Sequence, residues 1–394
     1  MTNLIDPVVK DYLLHNSRWR SPVGKAILLV IVLVVSVLAY LGIYAGKNPF
    51  VIWLWVPYSI AGSIVGYFLL SFLDRERRVR FFHFLTIASV FFITAPAAAF
   101  FNSRSPFPRV TVGFVEEGLK ILPVLLLAIY IPNLIRTRKD GIVYGALAGM
   151  GFNIIEMGLY IANLIHDSPV LDTLVQQSTR FGLWGLSAHI IWSGFVGMGI
   201  GFAAESTQRG WSKWKRFVLF YLIVAIMHSA FDLGLMAFGI IVIASIVSFL
   251  KGIPIDSHSL GKDFGPLWDG MRYGSYIYNI VLIIILIVQI KRSFRLENRL
   301  QAAELSTEES TVVPEEELKK IRSERLFFKR KYKNFPKAIG SKIVLYQNLL
   351  AMQKHTATQL GLRIDKVEAV VVLRKAIQSL RTNHLQGRVE SVVD

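Results

Sequence analysis

Between Gly113 and Pro123 the sequence reads Gly-Phe-Val-Glu-Glu-Gly-Leu-Lys-Ile-Leu-Pro. Glu116, Glu117 and Lys120 fall within one and a half helical turns, inside an apolar run from about Val110 to Pro132. Later apolar runs carry Glu156, four residues after Phe152; His189 alone; and His228 with Asp232, again four apart. Carboxylates and imidazoles, in a chain without cysteine, suit the activation of water. One glutamate can take a proton from water and later pass it to a leaving amine. A histidine or another donor must then stabilise the oxyanion on the attacked carbonyl. Two neighbouring carboxylates with a lysine beside them can divide into an acid and a base.

Such groups need a special place to stand. A charge at bilayer depth costs roughly 2.5–3.5 kcal/mol on the insertion scale. Three in one span would nearly cancel the gain from the surrounding Ile, Leu and Val, so they must face a wet or polar interior. The membrane itself is implied by composition: 53% of the 394 residues are hydrophobic and mean hydropathy is +0.47, too apolar for an ordinary soluble domain. The net charge of +17 reads as Lys and Arg collected beside anionic lipid at cytoplasmic loops, not as a nucleic-acid surface. Without cysteine there are no disulfides, thiol nucleophiles or Cys-based metal sites.

Apolar runs predict an all-α, polytopic bundle of about eight transmembrane helices: 26–45, 50–73, 81–101, 111–133, 141–165, 183–204, 217–237 and 273–290. The first run is too long for a signal segment and no cleavage site clearly follows it. The seventh continues without charge to Leu250, and Gly234 and Gly239 suggest a break there. Basic residues gather at one set of span ends, as in Arg75–Arg80, Arg136–Lys139, Arg209–Arg216 and Lys291–Arg299. This bias places both termini in the cytoplasm. With that orientation Glu116, Glu117, Glu156, His189, His228 and Asp232 all fall roughly 8–14 Å below the outer face, at 1.5 Å of rise per residue. Residues four apart share a helix face, so His228 and Asp232 can both look inward, as can Glu116 and Lys120. Gly141, Gly145 and Gly149 on the fifth span, and Gly197 and Gly201 on the sixth, would let helix backbones approach closely.

The predicted organisation is a cytoplasmic N-terminal tail at 1–25, a transmembrane bundle at 26–290 with its reactive core at about 110–240, a linker at 291–312, and a small, mostly helical cytosolic extension at 313–394. In that extension Glu315–Asn334 is highly charged and reads as a solvated helix with a few apolar anchors, the alternative being a segment lying on the inner leaflet; helices at about 341–355 and 365–381 follow.

The series Glu-Glu-x-x-Lys at 116–120, Phe-x-x-x-Glu at 152–156, a lone His189 on the next span and His-x-x-x-Asp at 228–232 resembles the motifs of the PrsW family of intramembrane proteases. That family is related to the CAAX-processing and bacteriocin-processing membrane proteases. The resemblance covers about 110–240 and not the tail. It implies a glutamate-dependent peptidase that cuts membrane-associated proteins, an anti-sigma factor in the best-known members. It also implies catalytic carboxylates at Glu116 and Glu117 with His189 beside them, and His228 and Asp232 where related families place oxyanion donors. Lys120 and Phe152 support that set. Glu156 stands where the CAAX-processing relatives carry a histidine, which argues against a prenylated substrate.

The expected partners are a membrane-protein substrate and the lipid bilayer, with no nucleic acid and no cofactor. A metal-dependent version of the site would use Glu156, His189, His228 and Asp232 as ligands and Glu117 as base. His-Glu-x-x-His is absent, and Asp232 alone does not make an aspartyl pair. Ser187 stands two residues from His189 and so faces elsewhere on the same helix. An ion- or proton-coupled transporter is the reading from another class. It expects polar residues continuing toward the cytoplasm, whereas the fourth span is apolar from Ile121 to Pro132.

Overall fold

The computed structural model describes residues 27, 30, 31, 49–74, 80–131, 133–164, 187–206, 210–232, 257–324, 332, 334–359 and 361–385. Among these residues all regular structure is helical. In chain order the bundle is built from α1 (Pro49–Leu73), α2 (Arg80–Arg104), α3 (Pro108–Tyr130), α4 (Arg138–Leu164), α5 (Ala188–Glu205), α6 (Lys215–Asp232) and α7 (Ser257–Leu305). The tail adds α8 (Glu315–Arg322), α9 (Lys337–Gln359) and α10 (Glu368–Leu385).

Arg80–Arg104, Arg138–Ile161 and Gly210–Asp232 are each long and apolar enough to cross a membrane. The helix α3 is not among them, because it carries Arg109, Glu116, Glu117 and Lys120 itself. The expected span at 26–45 and the continuation of the seventh run to Leu250 lie outside the described residues, apart from three isolated positions in the first. The eighth expected span lies within α7, and the polar stretch read as a linker is helical as far as Leu305.

The helix at the centre is α4. Of its apolar window 83% is buried, against 22% for Gly210–Asp232, which turns Leu219, Leu222 and Ile226 outward. That contrast is what a core helix and a lipid-facing helix should show. The small residues of α4 explain its closeness to α5. A Cβ at Gly141, Gly145 or Gly149 would overlap the backbone of Gly197, Ser193 or His189, respectively. No side chain larger than hydrogen fits that seam, so the glycine stripe sets the depth at which His189 meets α4.

The first turn of α4 is held by groups from three directions. Asp140 accepts from the backbone N–H groups of Arg136 (3.0 Å) and Thr137 (2.9 Å). Glu205 at the end of α5 accepts from the N–H of Arg138 (2.8 Å), and Ser293 of α7 from that of Lys139 (3.1 Å). Donors that helix starts leave unpaired are thereby satisfied. Buried Lys139 also pairs with Glu297 of α7 at 2.8 Å.

Midway along α2 the helix widens into a π-turn at Val90–Thr94, a feature that shifts the residues beyond it around the axis. His83, before that turn, pairs with Asp74 at 2.8 Å and lies against Tyr144. It takes no part in the cluster described below.

The tail packs on the bundle. Leu134 and Ile135, before α4, share one buried apolar cluster with Leu305, Val312 and Leu350, and Arg136 donates to Thr356 (3.4 Å). Inside the tail, Lys354 donates to the carbonyl of Glu304 (2.5 Å), to Thr307 (2.6 Å) and to Glu308 (2.5 Å). Arg374 grips Glu308 through two hydrogen bonds of 2.7 and 2.8 Å. Burial alone would raise the Glu308 carboxyl, but these donors outweigh it and hold it below the usual carboxylate range.

Candidate active site

The helix α3 brings Glu116, Glu117 and Lys120 to one side because residues three and four apart are neighbours on a helix. The Lys120 Nζ donates to Glu117 Oε1 (2.9 Å) and to Glu116 Oε2 (3.1 Å). Its remaining contact reaches α5, at His189 Nδ1, 2.8 Å away. The side chain is fully buried and its ammonium also lies over the Phe152 ring of α4, 3.9 Å from the centroid. One cation therefore ties three helices together, with an aromatic face completing its cage.

An ammonium can only donate, so the Nδ1 of His189 accepts and the ring proton sits on Nε2. That nitrogen lies in close contact with the Glu156 carboxylate of α4. A carboxylate behind an imidazole fixes both tautomer and ring orientation.

The two glutamates have different surroundings. Glu117 is fully buried and accepts from Lys120, from His228 Nδ1 of α6 (3.0 Å) and from Ser193 Oγ of α5 (3.0 Å). Glu116 accepts from Lys120 and from Asn102 Nδ2 at the end of α2 (3.0 Å). Its side chain keeps 9% exposure. His228 Nε2 lies 3.7 Å from Glu116 Oε2 and 3.8 Å from Asp232 Oδ2. Asp232, 30% exposed, stands at the rim. Trp192 packs against His228, with 4.5 Å between ring centroids.

The helix α6 is brought in by the same device that seats α5. The N–H of Gly113 donates to Ser229 Oγ (3.1 Å), and a Cβ at Gly113 would overlap the carbonyl of Ala225. Tyr221 then donates to the carbonyl of Phe114 (2.8 Å).

Every residue singled out from the sequence is thus in or beside one cluster: Glu116, Glu117, Lys120, His189 and His228 at its centre, Phe152 and Glu156 behind, Asp232 at the edge. Ser187 is elsewhere in role, since its hydroxyl caps α5 by accepting from the N–H of Ile190 (3.4 Å). Two contributors escaped sequence reasoning. Ser193 carried a signal, being four residues beyond His189, but a serine on an apolar helix draws no notice in a scan for ionisable groups. Asn102 carried none, because it precedes Glu116 by 14 residues on another helix.

The family model described as "PrsW family intramembrane metalloprotease" matches residues 60–254. Over that range, just under half of the chain, the sequence is similar to the PrsW family. Among curated proteins, Protease PrsW of Shouchella clausii (strain KSM-K16) is 28% identical over 139 residues, covering 35% of this chain and 58% of that protein. Protease PrsW of Bacillus subtilis (strain 168) is 29% identical over 125 residues, 32% of this chain and 52% of the relative. The chain thus spans little more than half the length of these PrsW relatives. No solved structure matches it.

The family description includes a metal. Glu116, His189 and His228 offer one donor atom each, all within 4.8 Å of one another. Two imidazoles and a carboxylate are the ligand types of a catalytic zinc site with an open position, so the residue types fit. Of the four ligands expected from sequence, His189 and His228 belong to this trio. Glu156 instead contacts His189 Nε2, so a cation on His189 would have to take the Nδ1 position that Lys120 occupies, and Asp232 stands 3.8 Å from His228.

Proposed function

We propose that this chain is an intramembrane endopeptidase that hydrolyses a peptide bond of a membrane-associated protein, possessing Glu116 as the general base. The observation that carries the reading is the unequal treatment of two adjacent glutamates. Glu117 already accepts from three donors, which suits a fixed anion that holds Lys120 and His228 in place. Glu116 has fewer donors and some exposure, which suits a carboxylate that must meet water.

In this mechanism Glu116 takes a proton from water as it attacks the scissile carbonyl. It then returns that proton to the leaving amine. His228, held through Nδ1 by Glu117, stands as the donor to the oxyanion. Lys120 keeps His189 and both glutamates in register, and Glu156 holds the proton on His189 Nε2. An enclosed, desolvated site strengthens each of these interactions. An anti-sigma-factor-like protein as substrate is what the family resemblance implies. The outward-opening cluster and cytoplasmic termini follow from the distribution of Lys and Arg.

The second reading is the metal-dependent form of the same site, favoured by the trio Glu116, His189 and His228. A divalent cation held there would supply an acidified water and a polarised carbonyl.

The deciding experiment compares membrane proteomes of cells carrying the wild-type protein, Glu116→Gln, Glu117→Gln and His189→Ala. An uncut substrate should accumulate in all three variants. Glu116→Gln should lose about 10²–10⁴-fold in rate, the range of a general base, with normal protein level. Unimpaired cleavage by Glu116→Gln would falsify the assignment.

A further inference from the structure

Asn102 ends α2 beside the cluster, and its amide is only half used. Its Nδ2 donates to Glu116 Oε1 (3.0 Å). An ionised carboxylate only accepts, so the nitrogen must face Glu116 and the oxygen must face away. That oxygen, Oδ1, is buried and has no hydrogen-bond partner among the described residues. A buried acceptor left without a donor costs free energy, and such groups call for a specific explanation.

The surroundings say what donor would come. The end of α2 is pinned to the start of α3: the hydroxyls of Ser105 and Thr111 lie 2.7 Å apart, and Ser105 accepts from the N–H of Phe107 (3.2 Å). Asn102 therefore stands on a fixed turn. Around it Phe101, Phe107 and Val110 are exposed, an apolar rim suited to a membrane segment. A peptide whose carbonyl is attacked by water held at Glu116 must pass Asn102 within about one residue. Every residue of such a peptide except proline brings one main-chain N–H. A helical segment has used those donors internally, whereas an extended one has them free.

Resting on the protease reading, we infer that Asn102 is a substrate-binding residue. Its Oδ1 accepts a main-chain N–H of an extended substrate segment next to the scissile bond, while its Nδ2 holds Glu116. The substrate class is thereby narrowed to membrane segments that unwind at the outer rim of α2 and α3.

The test uses the full-length protein in detergent micelles with a panel of synthetic, quenched-fluorescent single-span peptides. A peptide that the wild type cleaves is then remade with N-methyl groups at successive residues around the cut. In the wild type, methylation at one position should raise KM about tenfold, the loss of one hydrogen bond to a buried acceptor. Asn102→Ala should raise KM for the unmethylated peptide and feel no further penalty at that position. Asn102→Asp keeps the acceptor, so it should keep the methyl penalty while kcat falls. It also guards against a folding defect in the alanine variant. Equal methyl penalties in wild type and Asn102→Ala at every position would overturn the subsite and leave the protease reading standing. A wild type that cleaves none of the panel would remove both.

Discussion

Lys120 Nζ lies 2.8 Å from His189 Nδ1, across 69 residues of chain and between two helices. With Glu116 and Glu117 as its other acceptors, this lysine uses all three ammonium protons inside the cluster. It is a hub and has no donor left for a substrate. Replacing it by Met should leave two buried carboxylates without their cation. Breaking a buried ion pair typically costs about 3–5 kcal/mol, so Lys120→Met should lose both activity and thermal stability. Lys120→Arg should not restore them, because a planar guanidinium does not fit a three-way point charge. Melting in detergent and cleavage of a model substrate measure the two effects separately.

The seam between α4 and α5 makes a second prediction. Gly149 faces the carbonyl of His189, and a Cβ there overlaps that backbone. Overpacking a close seam typically costs about 1–3 kcal/mol. Gly149→Ala should push His189 away from Lys120 and lower kcat more than it lowers the yield of folded protein. Activity per folded molecule, counted after size-exclusion chromatography, checks this.

Metal removal separates the two forms of the mechanism. If the trio of Glu116, His189 and His228 holds a cation, purified protein should contain about one equivalent of it, since a catalytic site takes three protein ligands and one ion. His228→Ala should lose that ion together with activity. In the metal-free form, chelation leaves cleavage unchanged. Elemental analysis of wild type and His228→Ala, before and after dialysis against chelator, reads the difference without relying on turnover.

The tail should have its own acid limit. Glu308 is gripped by Arg374 and Lys354, and its carboxyl is held below the usual range. A group depressed in the folded state contributes stability above its unfolded pKa and loses it as pH falls through the folded value. The contribution is therefore complete above about pH 4.3, the unperturbed value of glutamate, and disappears below it. Hydrogen exchange of α9 and α10 should accelerate on acidification below that point. Glu308→Gln should exchange faster at neutral pH and show a flatter response to acid.

Much of this was legible in the sequence, for particular reasons. Charges in an apolar run are costly enough to be conspicuous, and the four-residue spacings of Glu116–Lys120, Phe152–Glu156 and His228–Asp232 are written in one helix each. The glycines of α4 announced a close crossing, and Gly149 against His189 is that crossing. Neutral contributors were harder to see. Ser193 and Asn102 each make one hydrogen bond to a glutamate on another helix, and no spacing along the chain encodes such a meeting. Composition also suggested a linker from 291 onward, where α7 remains helical to Leu305. Polar residues are compatible with helix when one face, here Phe294 and Ala302, is buried.

The sequence by itself determined the membrane character, the helices and the set of groups able to do chemistry, because hydropathy and helical period are local properties of the chain. Only the tertiary structure decided how those groups share their protons: Lys120 among three acceptors, Glu117 enclosed by three donors, Glu116 left partly open. The reason is that a hydrogen bond depends on distances of about 3 Å, and such distances between helices are set by how the helices pack.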